Sequence, residues 1–289
     1  MTPAQVAALG IVQGVAEVVP VSSSAQLVLV PWVLGWAPPD DRTTFAAGLH
    51  AGSCLGIAWA VRRDLLALDR RTLGLLAAAT VPAAAAGFLA ADAVEQRLGR
   101  PPQLAVLLAA AGGLLWWADA RAEHRSRAAR GGSLSDPPGV SSSGPPVADS
   151  TPSAGPTRAL SGAVGPREAA YAGLAQVAAL APGVSRSGAT LTALRLAGVE
   201  REAAQRFSLL LSLPVTAGAA LLTLARTPRA RLTAALTTLA PGAATAAAAG
   251  ATTVTLLTGR SEGSVRGAAL YRLGIALAVA WRSSREGEL

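Results

Sequence analysis

Apolar residues in this chain come in long blocks, neither alternating with polar ones nor confined to one helical stripe. Residues 103–118, 207–225, 232–258 and 267–281 are almost free of charge, broken at most by a single Arg. Blocks of roughly 17–25 apolar residues are long enough to cross a bilayer. A water-soluble bundle would need a polar face on each helix, and these blocks offer none. The pattern predicts helices near 3–20, 25–37, 45–61, 73–92, 103–118, 168–182, 189–199, 207–225, 232–258 and 265–282. Two neighbouring pairs are interrupted by polar, helix-breaking runs, Val19-Pro-Val-Ser-Ser-Ser24 and Ala181-Pro-Gly-Val-Ser-Arg-Ser-Gly188. Irregular backbone at membrane depth survives only where protein or water covers it. Each interruption therefore predicts the tip of a re-entrant helix–loop–helix hairpin, with the two tips meeting near the middle of the membrane.

The two interrupted pairs belong to a repeat. Gly10-Ile-Val-Gln13 aligns with Gly173-Leu-Ala-Gln176, and the same offset lays Val21-Ser22-Ser23-Ser24-Ala25 on Val184-Ser185-Arg186-Ser187-Gly188. Phe45 matches Phe207 after a slip of one. Each half then holds one hairpin and three spans, and an odd number of crossings inverts the second half. The predicted fold is an all-α integral membrane protein, an inverted-topology repeat of two re-entrant hairpins and about six transmembrane helices. Residues 1–119 form the first repeat (hairpin 3–37) and 168–289 the second (hairpin 168–199). More than half of residues 131–166 are Gly, Pro or Ser, a composition that cannot bury a core. The stretch 120–167 is accordingly expected to be a disordered cytoplasmic loop.

Composition sharpens this picture in three ways. The chain is 51% hydrophobic and 15% charged, with a mean hydropathy of +0.41, well short of the charge of a soluble domain. Met1 onward lacks the basic region and cleavage site of a signal peptide, so the first apolar segment is expected to stay. All 25 basic residues are Arg, giving a net charge of +8. They cluster between spans, which reads as membrane topology and lipid-surface charge and not as nucleic-acid binding. Arg62, Arg63, Arg70, Arg71, Arg121, Arg125, Arg127 and Arg130 mark cytoplasmic loops and place both termini outside, although Arg226, Arg229 and Arg231 would then lie outside too. The single Cys54 excludes an internal disulfide and a Cys-based zinc site.

Ionisable groups inside a membrane usually mark function. Glu17 lies in the first hairpin, one helical turn after Gln13, and Arg186 lies in the second tip. If the tips converge, the two share a site; a buried ion pair that merely glues the hairpins is the plainer alternative. The tips also carry Ser22, Ser23, Ser24, Ser185, Ser187 and Thr190, each cluster just before a helical run. One such cluster alone is an ordinary N-cap. Two, converging with an Arg and a Glu, describe an anion site the size of a diphosphate, because helix N-termini and guanidinium groups both bind phosphate.

The two tips also carry a resemblance. Gln13-Gly-Val-Ala-Glu17 leading to Pro20-Val-Ser-Ser-Ser24, and Pro182-Gly-Val-Ser-Arg-Ser-Gly-Ala-Thr190, resemble the two signatures of the undecaprenyl-diphosphate phosphatase (bacitracin-resistance) family. The resemblance spans nearly the whole chain outside 120–167. It implies an integral membrane hydrolase of acid anhydrides that converts the polyprenyl diphosphate carrier to its monophosphate, recycling it for peptidoglycan and conferring bacitracin resistance. It also implies a divalent cation and a site in the plasma membrane facing the outer side; a Mg²⁺ or Ca²⁺ ion there would have Glu17 and Gln13 as its candidate ligands, with the substrate supplying most of the coordination. The candidate catalytic residues are Glu17, Arg186, Ser23 and His50, the last either helping around the leaving phosphate or simply a hydrogen-bonded packing His. Gln13, Ser22, Ser24, Gln26, Ser185, Ser187 and Thr190 are the candidate substrate-binding residues. Gln26 stands where the family commonly has His, and an amide cannot transfer protons near neutral pH. The nucleophile is a water oriented by Glu17 or a tip serine, Ser23 being favoured. A lipid-phosphate flippase would use the same headgroup site, and so would a silent lipid binder. The expected partners are the lipid substrate and the bilayer, without nucleic acid; a homodimer stays open.

Overall fold

The structure is a computed structural model, and it describes residues 1–131, 160, 162–257 and 264–286. These fold into eleven helices with no strand among the described residues. In chain order they are α1 (Pro3–Val18), α2 (Ser23–Leu34), α3 (Arg42–Ala60), α4 (Arg62–Leu66), α5 (Arg70–Leu98), α6 (Pro101–Gly131), α7 (Pro166–Ala178), α8 (Arg186–Leu196), α9 (Arg201–Arg226), α10 (Arg229–Leu257) and α11 (Ser264–Glu286). Three of them, α5 over Arg70–Ala90, α6 over Pro101–Ala128 and α9, are long and apolar enough to cross a membrane. Large apolar side chains such as Leu55, Leu89, Val106, Leu221 and Leu277 face outward, as they should on helices bathed in lipid.

The breaks fall where the sequence puts them, for local reasons. Pro20 disfavours helical backbone at Val19, which is extended (φ −77°, ψ 135°). The chain re-enters a helix through Ser22 at φ 68°. In the second half Gly183 (φ 98°) follows Pro182, and Ser185 (φ 69°) opens α8. Ser22 and Ser185 are the only non-glycine residues with positive φ among the described residues, and they are partners in the repeat. L-residues adopt that region at a cost, and paired strain at matching positions points to a site that needs both tips bent alike.

Packing repeats the same symmetry. In the first half α1 lies on α10, and in the second α7 lies on α5. Likewise α3 meets α10 as α9 meets α5, and α2 meets α11 as α8 meets α6. Helices α3 and α9, which correspond to each other, pack together at the centre, as do α6 and α11. Each hairpin is thus clamped by helices of the other half. Phe45 and Phe207, matched in the repeat, are both buried.

Close approach explains the glycines of α1 and α3. A Cβ on Gly52 would collide with the Ala243 carbonyl, and one on Gly56 with the Ala247 carbonyl, so α3 and α10 touch backbone to backbone in the small-residue manner of membrane helices. Gly56→Val is therefore expected to destabilise the fold by about 1–3 kcal/mol or more. Gly74→Ala, where a Cβ meets nothing within 4 Å, should leave thermal unfolding in detergent unchanged.

One expected boundary moves. Helix α6 continues through residues 120–131, where a disordered loop was expected to begin. The sequence Asp119–Arg130 is rich in Ala and Arg, good helix formers, and ion pairs fasten it. Asp119 is buried and accepts from Arg195 Nε at 2.9 Å, and Asp119 and Glu123 both pair with Arg201. Leu160 and Val164, near the far end of the same expected loop, are buried in the core. The rest of that loop, 132–159 and 161, lies outside the described residues. At the start of α3, Asp41 caps the helix by accepting the Thr44 N–H at 3.0 Å, and that bond holds its carboxyl below the usual range.

Candidate active site

Glu17 is the centre of the site, with its side chain 1% exposed. It is the penultimate residue of α1, directly before the break, and its carboxylate collects donors from both halves of the chain. Oε2 accepts from Gln13 Nε2 at 2.9 Å and from the Ser23 hydroxyl at 3.0 Å. Oε1 pairs with the Arg186 guanidinium, and the Thr216 hydroxyl lies 3.0 Å from it. That hydroxyl has one proton to share, since the Ser212 carbonyl is 2.7 Å away. His50 donates from Nδ1 to the Ala46 carbonyl (2.7 Å), which turns Nε2 toward Glu17 Oε2 at 3.7 Å.

The repeat explains how one carboxylate attracts so many partners. Ser23 and Arg186 occupy equivalent positions at the two tips, so each hairpin delivers its first helical side chain to the same place. The other symmetry mates have diverged. Glu17 has Leu180 as its counterpart. Gln13 has Gln176, whose amide donates instead to the Ala79 carbonyl at 3.1 Å, pinning α7 to α5. In the central pair the carboxylate comes from the first half and the cation from the second.

The remaining candidates divide between the centre and its supports. Ser22 and Ser24 lie 3.4 Å apart, hydroxyl to hydroxyl, and Ser185 and Ser187 3.3 Å apart. Ser185 caps α8 by accepting the Gly188 N–H at 3.2 Å. The start of α2 has no side-chain cap, so its first N–H groups are free for an anion, and Ser24 is exposed there. Thr190 is buried, and its hydroxyl is occupied by the Arg186 and Ser187 carbonyls and by Ser208. Gln26 is also buried, with Nε2 donating to the Val21 carbonyl (3.1 Å) and Oε1 accepting from the Tyr271 hydroxyl (2.9 Å). It steadies the first tip against α11. Both ends of its amide are spent on protein.

Thr216, Ser208 and Tyr271 were not singled out from the sequence. Ser208, Ser212 and Thr216 recur every fourth residue inside an apolar span, a one-sided polar stripe that could have flagged α9 as a wall of the site. A cavity of about 170 Å³ leads from Glu17 and Ser187 along this wall, past Leu191 and Val254. It reaches Asp64 and Arg206, which face each other at 3.2 Å. The apolar sides suit a hydrocarbon tail and the polar end suits a headgroup.

Gln13 also bears on metal binding. Its Oε1 is buried without a hydrogen-bond partner, and the amide cannot be reversed without losing the bond from Nε2 to Glu17. An orphan oxygen beside a carboxylate suits a hard cation. No cluster of three or more His, Cys, Asp or Glu exists among the described residues, so a cation held by Gln13 and Glu17 would have to take its remaining ligands from a bound molecule.

These features define a helical membrane protein of two cross-packed halves, with a polar centre where its broken helices meet. The family described as bacitracin resistance protein BacA matches residues 6–278. The chain belongs to that family. It is 38% identical over 267 residues to the undecaprenyl-diphosphatase of Geobacter sulfurreducens, covering 87% of each chain. It is 36% identical to the protein of the same name from Moorella thermoacetica, covering 79% of this chain and 78% of the relative. The corresponding Alcanivorax borkumensis protein is also 36% identical, with 75% of each chain covered.

Proposed function

We propose that this protein is an undecaprenyl-diphosphate phosphatase: a membrane hydrolase that converts the polyprenyl diphosphate carrier to the monophosphate and orthophosphate, recycles it for peptidoglycan synthesis and confers bacitracin resistance. The observation that carries the reading is the convergence of Ser23, Arg186 and Gln13 from two hairpins on one Glu17 carboxylate.

Phosphoryl transfer needs an aligned nucleophile and neutralised charge more than covalent help from the protein. The free N–H groups at the start of α2 and the Arg186 guanidinium take the phosphate oxygens. As they do, Arg186 shifts from Glu17 toward the substrate, and a carboxylate that loses its strongest donor becomes a better base. Glu17 then accepts the Ser23 proton while Ser23 Oγ bonds to the distal phosphorus. The anhydride P–O bond breaks and lipid monophosphate departs. Water next attacks the phosphoserine, releasing orthophosphate and restoring Ser23. A water held by Glu17 in place of Ser23 would give the same products in one step. His50, fixed through Nδ1, presents Nε2 to Glu17 and can relay the proton outward. A Mg²⁺ or Ca²⁺ ion on Gln13 and Glu17 would neutralise charge on the diphosphate.

Membrane orientation is linked to one feature. The part of the cavity lined by Asp64 and Arg206 lies at the same end as Arg62, Arg63, Arg70 and Arg71. If the cavity opens at that end, an outward-facing site in the plasma membrane puts these arginines outside, and cytoplasmic arginines put the opening inside. A cysteine at Leu66 in a Cys54→Ser background, read with an impermeant thiol label, separates the two.

Phosphate release from farnesyl or undecaprenyl diphosphate by purified protein in detergent tests the function, since transport needs sealed vesicles and hydrolysis does not. Turnover is expected, with loss of most of it in chelator and recovery on adding Mg²⁺ or Ca²⁺. Absence of release under all conditions would refute the reading.

A further inference from the structure

Arg272, in α11, is the largest fully buried side chain among the described residues. Its three guanidinium nitrogens are all buried without a hydrogen-bond partner. A charged group inside a membrane protein normally finds a counter-charge or a row of acceptors, because leaving it bare costs several kcal/mol. The other deeply buried arginine, Arg195, obeys this rule through Asp119 and the Val199 carbonyl.

The place where Arg272 lies is specific. A Cβ on Gly188 would fall 2.6 Å from Arg272 Nη2, and one on Gly112 would fall 3.0 Å from its Cδ. Two glycines thus make room for the side chain, and one of them belongs to the first turn of α8. The neighbours of Arg272 face the other tip. Tyr271 bonds to Gln26, and Ala268 packs with Ala16 and Val21. The guanidinium therefore lies against the first turn of α8 beside Ser185, on a helix whose neighbouring residues brace the first tip. A helix N-terminus is itself the positive end of a dipole, so a bare cation pressed against it is repelled unless an anion joins them.

Charge balance identifies the anion. Glu17 and Arg186 neutralise each other, as do Asp64 and Arg206, and Glu202 also lines the cavity, so the described site offers a diphosphate no net positive charge apart from Arg272. We infer that Arg272, with the first turn of α8 and the Ser185 hydroxyl, is a second phosphate-binding subsite, taking one phosphate group of the diphosphate or the orthophosphate released from it. This rests on the phosphatase reading for its substrate, but anion binding can be read without turnover.

The test measures thermal unfolding in detergent with inorganic pyrophosphate, orthophosphate or farnesyl monophosphate, for wild type, Arg272→Met, Arg272→Lys and Gly188→Ala. Wild type should be stabilised by pyrophosphate. Arg272→Met removes a bare buried cation without leaving a cavity, so it should unfold no lower than wild type, yet lose roughly 10- to 100-fold in pyrophosphate affinity, the worth of a charged hydrogen-bond set. Gly188→Ala, which displaces the guanidinium, should lose affinity in the same direction, and Arg272→Lys should restore part of it. An Arg272-dependent shift with orthophosphate assigns the subsite to the released phosphate, and one with farnesyl monophosphate to the lipid-borne phosphate. A folded Arg272→Met protein with wild-type affinity for all three anions overturns the inference. If Arg272→Met does not fold, unaltered affinity in Arg272→Lys does so. Absence of turnover in wild type would instead strike the phosphatase reading and leave the anion measurement standing.

Discussion

Glu17→Gln is expected to cut phosphate release roughly 10³-fold or more, in the range of a lost general base. The substitution preserves shape, so the loss reports charge. A glutamine oxygen in the place of Oε2 could still accept from Ser23 and Gln13, but its amide NH₂ would then replace Oε1 and confront the Arg186 guanidinium. Arg186 would lose its counter-ion in a site where Glu17 is nearly inaccessible. Breaking one partner of a buried pair costs about 3–5 kcal/mol of stability, so thermal unfolding should be measured alongside turnover. The activity loss should remain at temperatures well below the lowered midpoint. A Glu17→Gln protein that is folded and turns over at the wild-type rate removes the carboxylate from the chemistry.

Arg186→Lys should lower turnover by about 10²- to 10³-fold while keeping the positive charge. Transition-state charge on a transferred phosphoryl group is met by a planar, forked donor, and lysine offers a single ammonium on a stem that would have to span the same gap. Arg186 also carries the start of α8. Its carbonyl accepts from Thr190 (3.0 Å), a backbone bond that either side chain preserves, so the second tip should keep its conformation. The defect is therefore expected in kcat more than in folding, read by comparing turnover with circular dichroism and unfolding. A variant that only raises KM would place Arg186 in ground-state binding alone.

Both positions were legible in the sequence because a charge inside an apolar block stands out and because the repeat set the two tips in register. The offset that overlays Ser22 on Ser185 also predicts their shared positive φ in hindsight. Other features were hidden for physical reasons. Thr216 reaches Glu17 from the middle of α9, and its polarity is masked by the leucines around it; only the four-residue spacing with Ser208 and Ser212 betrays it. Gln26 looked like a substrate ligand from its place beside the serine triplet, but which way an amide turns depends on Tyr271, 245 residues away. Arg272 interrupts the last apolar block as a lone Arg, and nothing in linear order reveals that it packs against Gly112 and Gly188. The extension of α6 beyond residue 119 depended on Asp119 finding Arg195 and Arg201, a tertiary event that composition does not encode.

Convergence of two halves on one carboxylate is most directly tested by a double-mutant cycle on turnover with Glu17→Gln, Arg186→Lys and their combination. Groups that act as one unit lose little more when both are removed than when one is. The double variant is predicted to turn over within a few-fold of the slower single variant. Losses that multiply, as for independent sites, would contradict a shared centre.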